Sequence, residues 1–311
     1  MKNPMNVAAS VRQRLSNVQA QTGRDYQGLM IQYALERLLY RLSVSPYCDR
    51  FLVKGAMLFT VWNGSPHRMT RDLDLLGFGD PDIGRIEGIF RELATLSLAD
   101  DGVVFDSNSV QGSEIRAEAL YSGIRIKMGA KLASARLDLQ IDVGFGDDFM
   151  GKPDEISLPT LLLEMPVPHL KAYRRETVLA EKLEAMVKLD LINTRLKDYY
   201  DCWFLGKNFD FDGQDLSSSI AATFARRKTP LPQEIPRGLT EAYWSDPPRI
   251  AAWNAFWRKA GTGTERPKLE TVVCFIAVFL GPPLLSAAQS ETFVQSWQTA
   301  GPWSEALLVS S

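Results

Sequence analysis

Cysteine and histidine are scarce in this chain of 311 residues, which has three of one and two of the other. Cys48, Cys202 and Cys274 are scattered and have no metal-ligand spacing. A disulfide framework is not expected, and a reducing cytoplasm fits. His67 and His169 are isolated and read as a loop residue and a structural one. Excess positive charge is also missing. Lys and Arg number 35 against 37 Asp and Glu, for a formal net charge of −2 and a pI near 5.9. No global basic field advertises nucleic acid, although a local basic patch is compatible with these totals. The start, MKNPMNVAASVRQRL, has no signal-peptide apolar core. The longest apolar run, Val272 to Leu285, is interrupted by Gly281-Pro282-Pro283 and is too short to span a membrane. A buried helix is expected there and a membrane partner is not. Internal repeats and low-complexity tracts are absent.

What is present suits a globular chain with a large core. Hydrophobic residues make up 45% and charged residues 23%, and the length suggests two domains. Helical spacing of Val11, Leu15 and Val18, and then of Leu29, Tyr33, Leu38, Leu39 and Leu42, predicts helices over 7–44, broken at Gly23. Another helix is expected over 83–98. Residues 103–150 carry alternating or β-forming segments with no long helix between them, so antiparallel pairing in an α+β sheet is expected. Pro153, Pro159, Pro166 and Pro168 suggest a linker or crossing segment. The expected domains are therefore 1–155, and 156–311 as a helical C-terminal half.

The stretch from Leu52 to Gly79 carries the first chemistry. Asp72 and Asp74 share one face of a predicted strand, with Leu73 and Leu75 on the other. Two converging carboxylates suit a hard cation, and Mg²⁺ takes one or two carboxylates plus substrate phosphates. Upstream, the apolar run Phe51-Leu52-Val53 meets Lys54-Gly55-Ala56, which reads as a strand turning through glycine into a helix. A helix start offers free N–H groups to phosphate. Arg71 and Arg68 either add positive charge near such phosphates or form surface ion pairs.

A second strand repeats the pattern. Asp138, Gln140 and Asp142 alternate with Leu137, Leu139, Ile141 and Val143. Asp138 and Asp142 lie about 13 Å apart along a strand, so at most one joins Asp72 and Asp74 in a three-carboxylate cluster. Taken alone, such a face is ordinarily just solvated. Further on, Lys182 lies at the buried stripe of a helix over 174–191, where a lysine either snorkels or is aimed at phosphates. Asp198 and Asp201, three apart, share a helical face. They pair with Arg195 or Lys197, or orient Lys182 or a nucleophile.

The order of these pieces resembles the AbiEii/AbiGii toxin family of nucleotidyltransferases, relatives of the type IV and MenT toxins. The resemblance is carried by Glu36-Arg37-Leu38-Leu39-Tyr40-Arg41-Leu42-Ser43, Phe51-Leu52-Val53-Lys54-Gly55-Ala56, Thr70-Arg71-Asp72-Leu73-Asp74, Gln140-Ile141-Asp142-Val143-Gly144-Phe145-Gly146-Asp147, Ala180-Glu181-Lys182-Leu183 and Arg195-Leu196-Lys197-Asp198-Tyr199-Tyr200-Asp201. It implies a DNA polymerase β-like nucleotidyltransferase fold with a mostly helical C-terminal domain. It also implies Mg²⁺ on Asp72 and Asp74, with Asp142 as third carboxylate by motif position and Asp138 as runner-up. Lys54, Gly55, Ala56, Arg71 and Lys182 would bind the nucleotide, with Asp198 and Asp201 supporting the site. Ala56 departs from the Gly or Ser usual at its position. The implied substrates are a nucleoside triphosphate and RNA, the tRNA 3′ end above all, with growth arrest as the outcome. An AbiEi-type antitoxin would be the partner. Basic residues at Arg174-Arg175, Lys188, Arg195, Lys197 and Arg226-Arg227-Lys228 offer a candidate RNA strip. Transfer to a protein hydroxyl or small molecule, and a non-catalytic nucleotide-binding module, are the competing expectations.

Overall fold

The structure, a computed structural model, describes residues 6–64, 70–115, 123–146, 152–260 and 266–305. His67 and Arg68 lie outside the described residues. Two units divide the chain: residues 1–149 with 153–173, and residues 150–152 with 174–311.

In the first unit, Asn6 caps α1 (Val7–Thr22) by accepting from the Ala9 N–H, and Gly23 ends it in the left-handed region at φ +68°. Asp25 accepts from the Gly28 N–H and starts α2 (Tyr26–Ser43). The chain then forms β1 (Phe51–Lys54), a 3-10 turn at Gly55–Met57, α3 (Leu58–Asn63), β2 (Asp72–Gly77), α4 (Ile83–Thr95), β3 (Val103–Ile115), β4 (Gly123–Leu132), β5 (Ala135–Phe145), β6 (Asp154–Ser157) and β7 (His169–Ala172). The seven strands form one sheet in the order β3-β4-β5-β2-β1-β7-β6. The expected antiparallel pairing holds for β3–β4–β5, but β2 runs parallel to β5, and β1 parallel to β7. The sheet is therefore mixed.

The proline-bearing stretch does not act as a linker. It holds β6 and β7, and α2 fastens the segment between them. Glu36 accepts from the Leu161 N–H at 2.7 Å, and Arg37 donates to the Pro166 carbonyl at 2.9 Å. Both side chains are fully buried. The first unit thus ends at Tyr173, not near residue 155.

The second unit contains α5 (Arg175–Leu189), α6 (Leu196–Asn208), β8 (Phe211–Asp212), α7 (Gly213–Arg226), α8 (Glu241–Trp244), α9 (Pro247–Ala260), α10 (Leu269–Gln289), β9 (Gln295–Trp297) and β10 (Trp303–Glu305). This half is mostly helical, as expected, and also holds a small antiparallel sheet, β10-β9-β8, that the sequence did not announce. These strands are two or three residues long, too short for any periodicity to show. Nor does Gly281-Pro282-Pro283 interrupt α10. Pro283 cannot donate to the Phe279 carbonyl, and the Trp303 indole N–H donates there instead at 2.8 Å. Helix α10 has the length and composition of a membrane span, but half of that apolar stretch is buried within its own unit, as in a core helix.

Candidate functional site

Strand register assembles the first site. Lys54 of β1 stands opposite Asp74 of β2, Asp74 beside Asp142 of β5, and Asp142 opposite Arg125 of β4. Four adjacent strands thus present a row of lysine, aspartate, aspartate and arginine. The next row along the same face is Asp72, Gln140 and Lys127. On the opposite face Leu73, Leu75, Ile141, Val143, Ile124 and Ile126 are at most 1% exposed. Burial of that apolar face fixes the register, since a one-residue slip would turn every acid into the core.

Gly55 provides the seat for Asp74. Its φ is +73°, and a Cβ added there would overlap Asp74 Oδ2 and lie 2.9 Å from Asp74 Cβ. Only glycine allows the turn and the carboxylate to come this close. Gly144 does the same for Lys54, whose Nζ would be 3.0 Å from a Cβ at that position. Gly55→Ala is expected to push the Asp74 carboxylate off its seat and to destabilise the chain by about 1–3 kcal/mol. Denaturant unfolding checks the energy, and a crystal structure of the variant checks the carboxylate's position.

Asp142 is held by Arg125. Nε donates to Asp142 Oδ1 at 2.8 Å and Nη2 to Oδ2 at 2.7 Å, a two-point fork. With its amide oxygen turned inward, Gln140 accepts from the same two nitrogens at 3.3 and 3.2 Å. The Asp142 hydrogen bond raises the Arg125 pKa, burial opposes it, and the charges of Asp142, Asp72 and Asp74 add to the rise. Among the described residues no three of Asp, Glu, His and Cys gather as a metal-ligand cluster. Arg125 was not singled out from the sequence. Its signal is the alternation Ile124-Arg125-Ile126-Lys127-Met128, which marks a strand with a basic face.

Beside Asp72 the sheet face forms one wall of a groove of about 550 Å³, lined by Arg71, Ser109, Lys127, Asp138 and Gln140 among others. Asp138 is exposed and belongs to this groove, four residues along β5 from Asp142. Arg71 is 59% exposed, with Asp25 at 3.4 Å.

The second unit carries its own charged centre. Lys182 of α5 donates to Asp198 Oδ1 at 2.7 Å and to Asp201 Oδ2 at 2.8 Å, both from α6. The aspartates are fully buried, while Lys182 keeps 12% exposure. Arg195 Nε adds a bond of 2.6 Å to Asp198 Oδ2. Burial would raise the Asp198 carboxyl, but Lys182 and Arg195 outweigh it and hold the group below the usual carboxylate range. Both aspartates of the late acidic motif thus engage the lysine. Burial also pushes the neighbouring Cys202 thiol well up, which keeps it neutral. The expected basic strip is largely engaged internally. Arg174 pairs with Asp215, Arg226 with Glu181, and Arg227 with Glu181 and Glu184. Lys188, Lys197 and Lys228 are exposed.

A mixed sheet bearing two carboxylates on one strand face, with a glycine turn against the second and a helical unit following, defines a nucleotidyltransferase fold. The sequence profile of the nucleotidyl transferase AbiEii toxin family, type IV toxin–antitoxin system, matches residues 37–273. The chain belongs to this family, and it is a nucleotidyltransferase of the toxin type. Membership brings a nucleoside triphosphate substrate and an antitoxin counterpart. A nucleotidyltransferase candidate from Helicobacter pylori has a similar structure, with TM-score 0.50 and 13% identity over 87% of this chain and 100% of that one. Helicobacter pylori JHP933 is similar at TM-score 0.47 and 12% identity, over 86% and 94%. At such identities the likeness concerns the fold alone. No curated protein matches.

Proposed function

We propose that the chain transfers a nucleotide from a nucleoside triphosphate to RNA, with Mg²⁺ and with the tRNA 3′ end as acceptor, and that growth arrest follows. The observation that carries this reading is the Asp72–Asp74 pair on one strand face, with Asp74 seated against Gly55 and Asp72 on the wall of the groove. Hard carboxylate oxygens spaced along one strand face fit Mg²⁺, which completes its shell with phosphates and water. When bound, the ion supplies charge neutralisation and polarisation at the phosphates.

The chain's own groups do the rest by position and charge. The Lys54–Gly55–Ala56 turn meets the phosphates, and the Lys54 ammonium over Gly144 adds a cation beside Asp74. Lys182, placed by Asp198 and Asp201, is the second unit's candidate for phosphate. The acceptor hydroxyl oxygen bonds to the α-phosphorus, the bond from that phosphorus to the bridging α,β-oxygen breaks, pyrophosphate leaves, and the hydroxyl proton passes to solvent. Arg71 and Lys127 flank the groove next to Asp72, which supports an acceptor carrying phosphates. Contacts of this kind weaken steeply with salt.

The internal pairing of Arg174, Arg226 and Arg227 favours, as a second reading, an acceptor without phosphates, such as a protein hydroxyl. Incubation of the chain with each labelled triphosphate, Mg²⁺ and a whole-cell extract separates the two. Label in a tRNA-sized band is the expected result. Label in a protein band supports the second reading, and label nowhere contradicts both.

A further inference from the structure

Asp74 and Asp142 are neighbours across one strand spacing, about 4.8 Å. Two carboxylates so close require positive charge, and the row supplies it from both ends, through Lys54 and Arg125. The two ends differ. Arg125 holds both oxygens of Asp142 in a fork and takes the Gln140 carbonyl as well. Asp142 is 19% exposed and Arg125 37%, so the pair is half-buried, and it is the two-point geometry that sets the fork apart from a loose surface contact. A carboxylate committed at both oxygens has given up its strongest acceptor directions, and a divalent ion would have to displace the guanidinium to use them. Asp72 lies in the next row on the same face and is exposed.

We infer that Arg125 takes the place of a second divalent cation: Asp142 serves as its anchor and not as a metal ligand, so the site binds a single ion through Asp72 and Asp74. This rests on the proposed function and makes it more specific. The ion stands on the Asp72 side of the row and a fixed guanidinium on the other. Nη1 makes no bond to any described protein group and is left for a substrate oxygen. Arg125 is then a binding residue for the phosphates, built into the sheet, where a second ion would have to be recruited.

The test titrates the full chain with Mn²⁺ alone, counting free ion by its electron paramagnetic resonance signal, with thermal melts confirming that each variant is folded. One ion per wild-type chain is expected. Asp142→Asn, whose amide still accepts from Arg125, should leave the affinity within about twofold. Arg125→Ala should release Asp142 and add a second ion or tighten binding at least fivefold, and the Arg125→Ala/Asp142→Asn double variant should cancel that gain. Two ions in the wild type, or a tenfold loss in Asp142→Asn, overturns the inference. So does a wild-type chain that binds no Mn²⁺. Failure of the function reading looks different: Asp72→Asn would then retain full Mn²⁺ affinity, whatever Asp142→Asn does.

Discussion

Lys182→Met should cost the protein about 3–5 kcal/mol, the usual result of removing one partner from a buried ion pair. Methionine preserves most of the apolar stem, so the loss is electrostatic. It leaves Asp198 and Asp201, both fully buried, without the ammonium that bonds each of them. Arg195, half exposed, still reaches Asp198. The pH dependence has a definite sign. In the wild type the Asp198 pKa is held low, so its contribution is present above the ordinary carboxylate pKa and is lost as pH falls through the lower folded value. In the variant burial is opposed by Arg195 without Lys182, so the Asp198 pKa should rise relative to the wild type. The gap between variant and wild type should therefore widen as pH rises from below the ordinary carboxylate value, about 4, toward neutrality. Denaturant unfolding across that range checks it. A uniform gap, or a loss under 1 kcal/mol, would show that the triad is not the keystone of its unit.

The second large effect is on chemistry. Asp72→Asn should lower nucleotide transfer by about a thousandfold, some 4 kcal/mol of transition-state stabilisation. Asp72 is exposed at the start of β2, so stability should change by no more than about 1 kcal/mol. Steady-state transfer and a thermal melt on the same preparation separate the two. A variant that melts normally yet transfers at the wild-type rate would remove Asp72 from the site.

Much of the site was readable along single strands and little of it across them. The alternation Asp72-Leu73-Asp74 and Asp138 to Val143 identifies two polar faces because side chains in a strand alternate. It carries no information on which strand lies beside which. That Asp142 neighbours Asp74, with Arg125 beyond it, is a property of the order β4-β5-β2-β1, set by packing between segments far apart in sequence. For the same reason the alternation by itself does not choose between Asp142, preferred on motif position, and Asp138; register sets Asp142 alongside Asp74. Lys182 with Asp198 and Asp201 was legible because each motif sits on one helix, although their contact is tertiary. The proline-bearing segment misled for a local reason: Pro153, Pro159, Pro166 and Pro168 do punctuate the chain, yet one four-residue strand fits between Pro153 and Pro159 and another follows Pro168 directly. At the C-terminus, β9 and β10 are three residues each, below the length at which a pattern forms.

In the proposed reaction the bond broken lies at the α-phosphorus. The most direct measurement supplies one acceptor preparation with the same triphosphate labelled either at the α- or at the γ-phosphorus, with Mg²⁺. Only the α-label should become attached to the acceptor, and the γ-label should leave as pyrophosphate in equal amount. Attachment of the γ-label, or release of labelled inorganic phosphate with no label on any acceptor, would contradict that reaction.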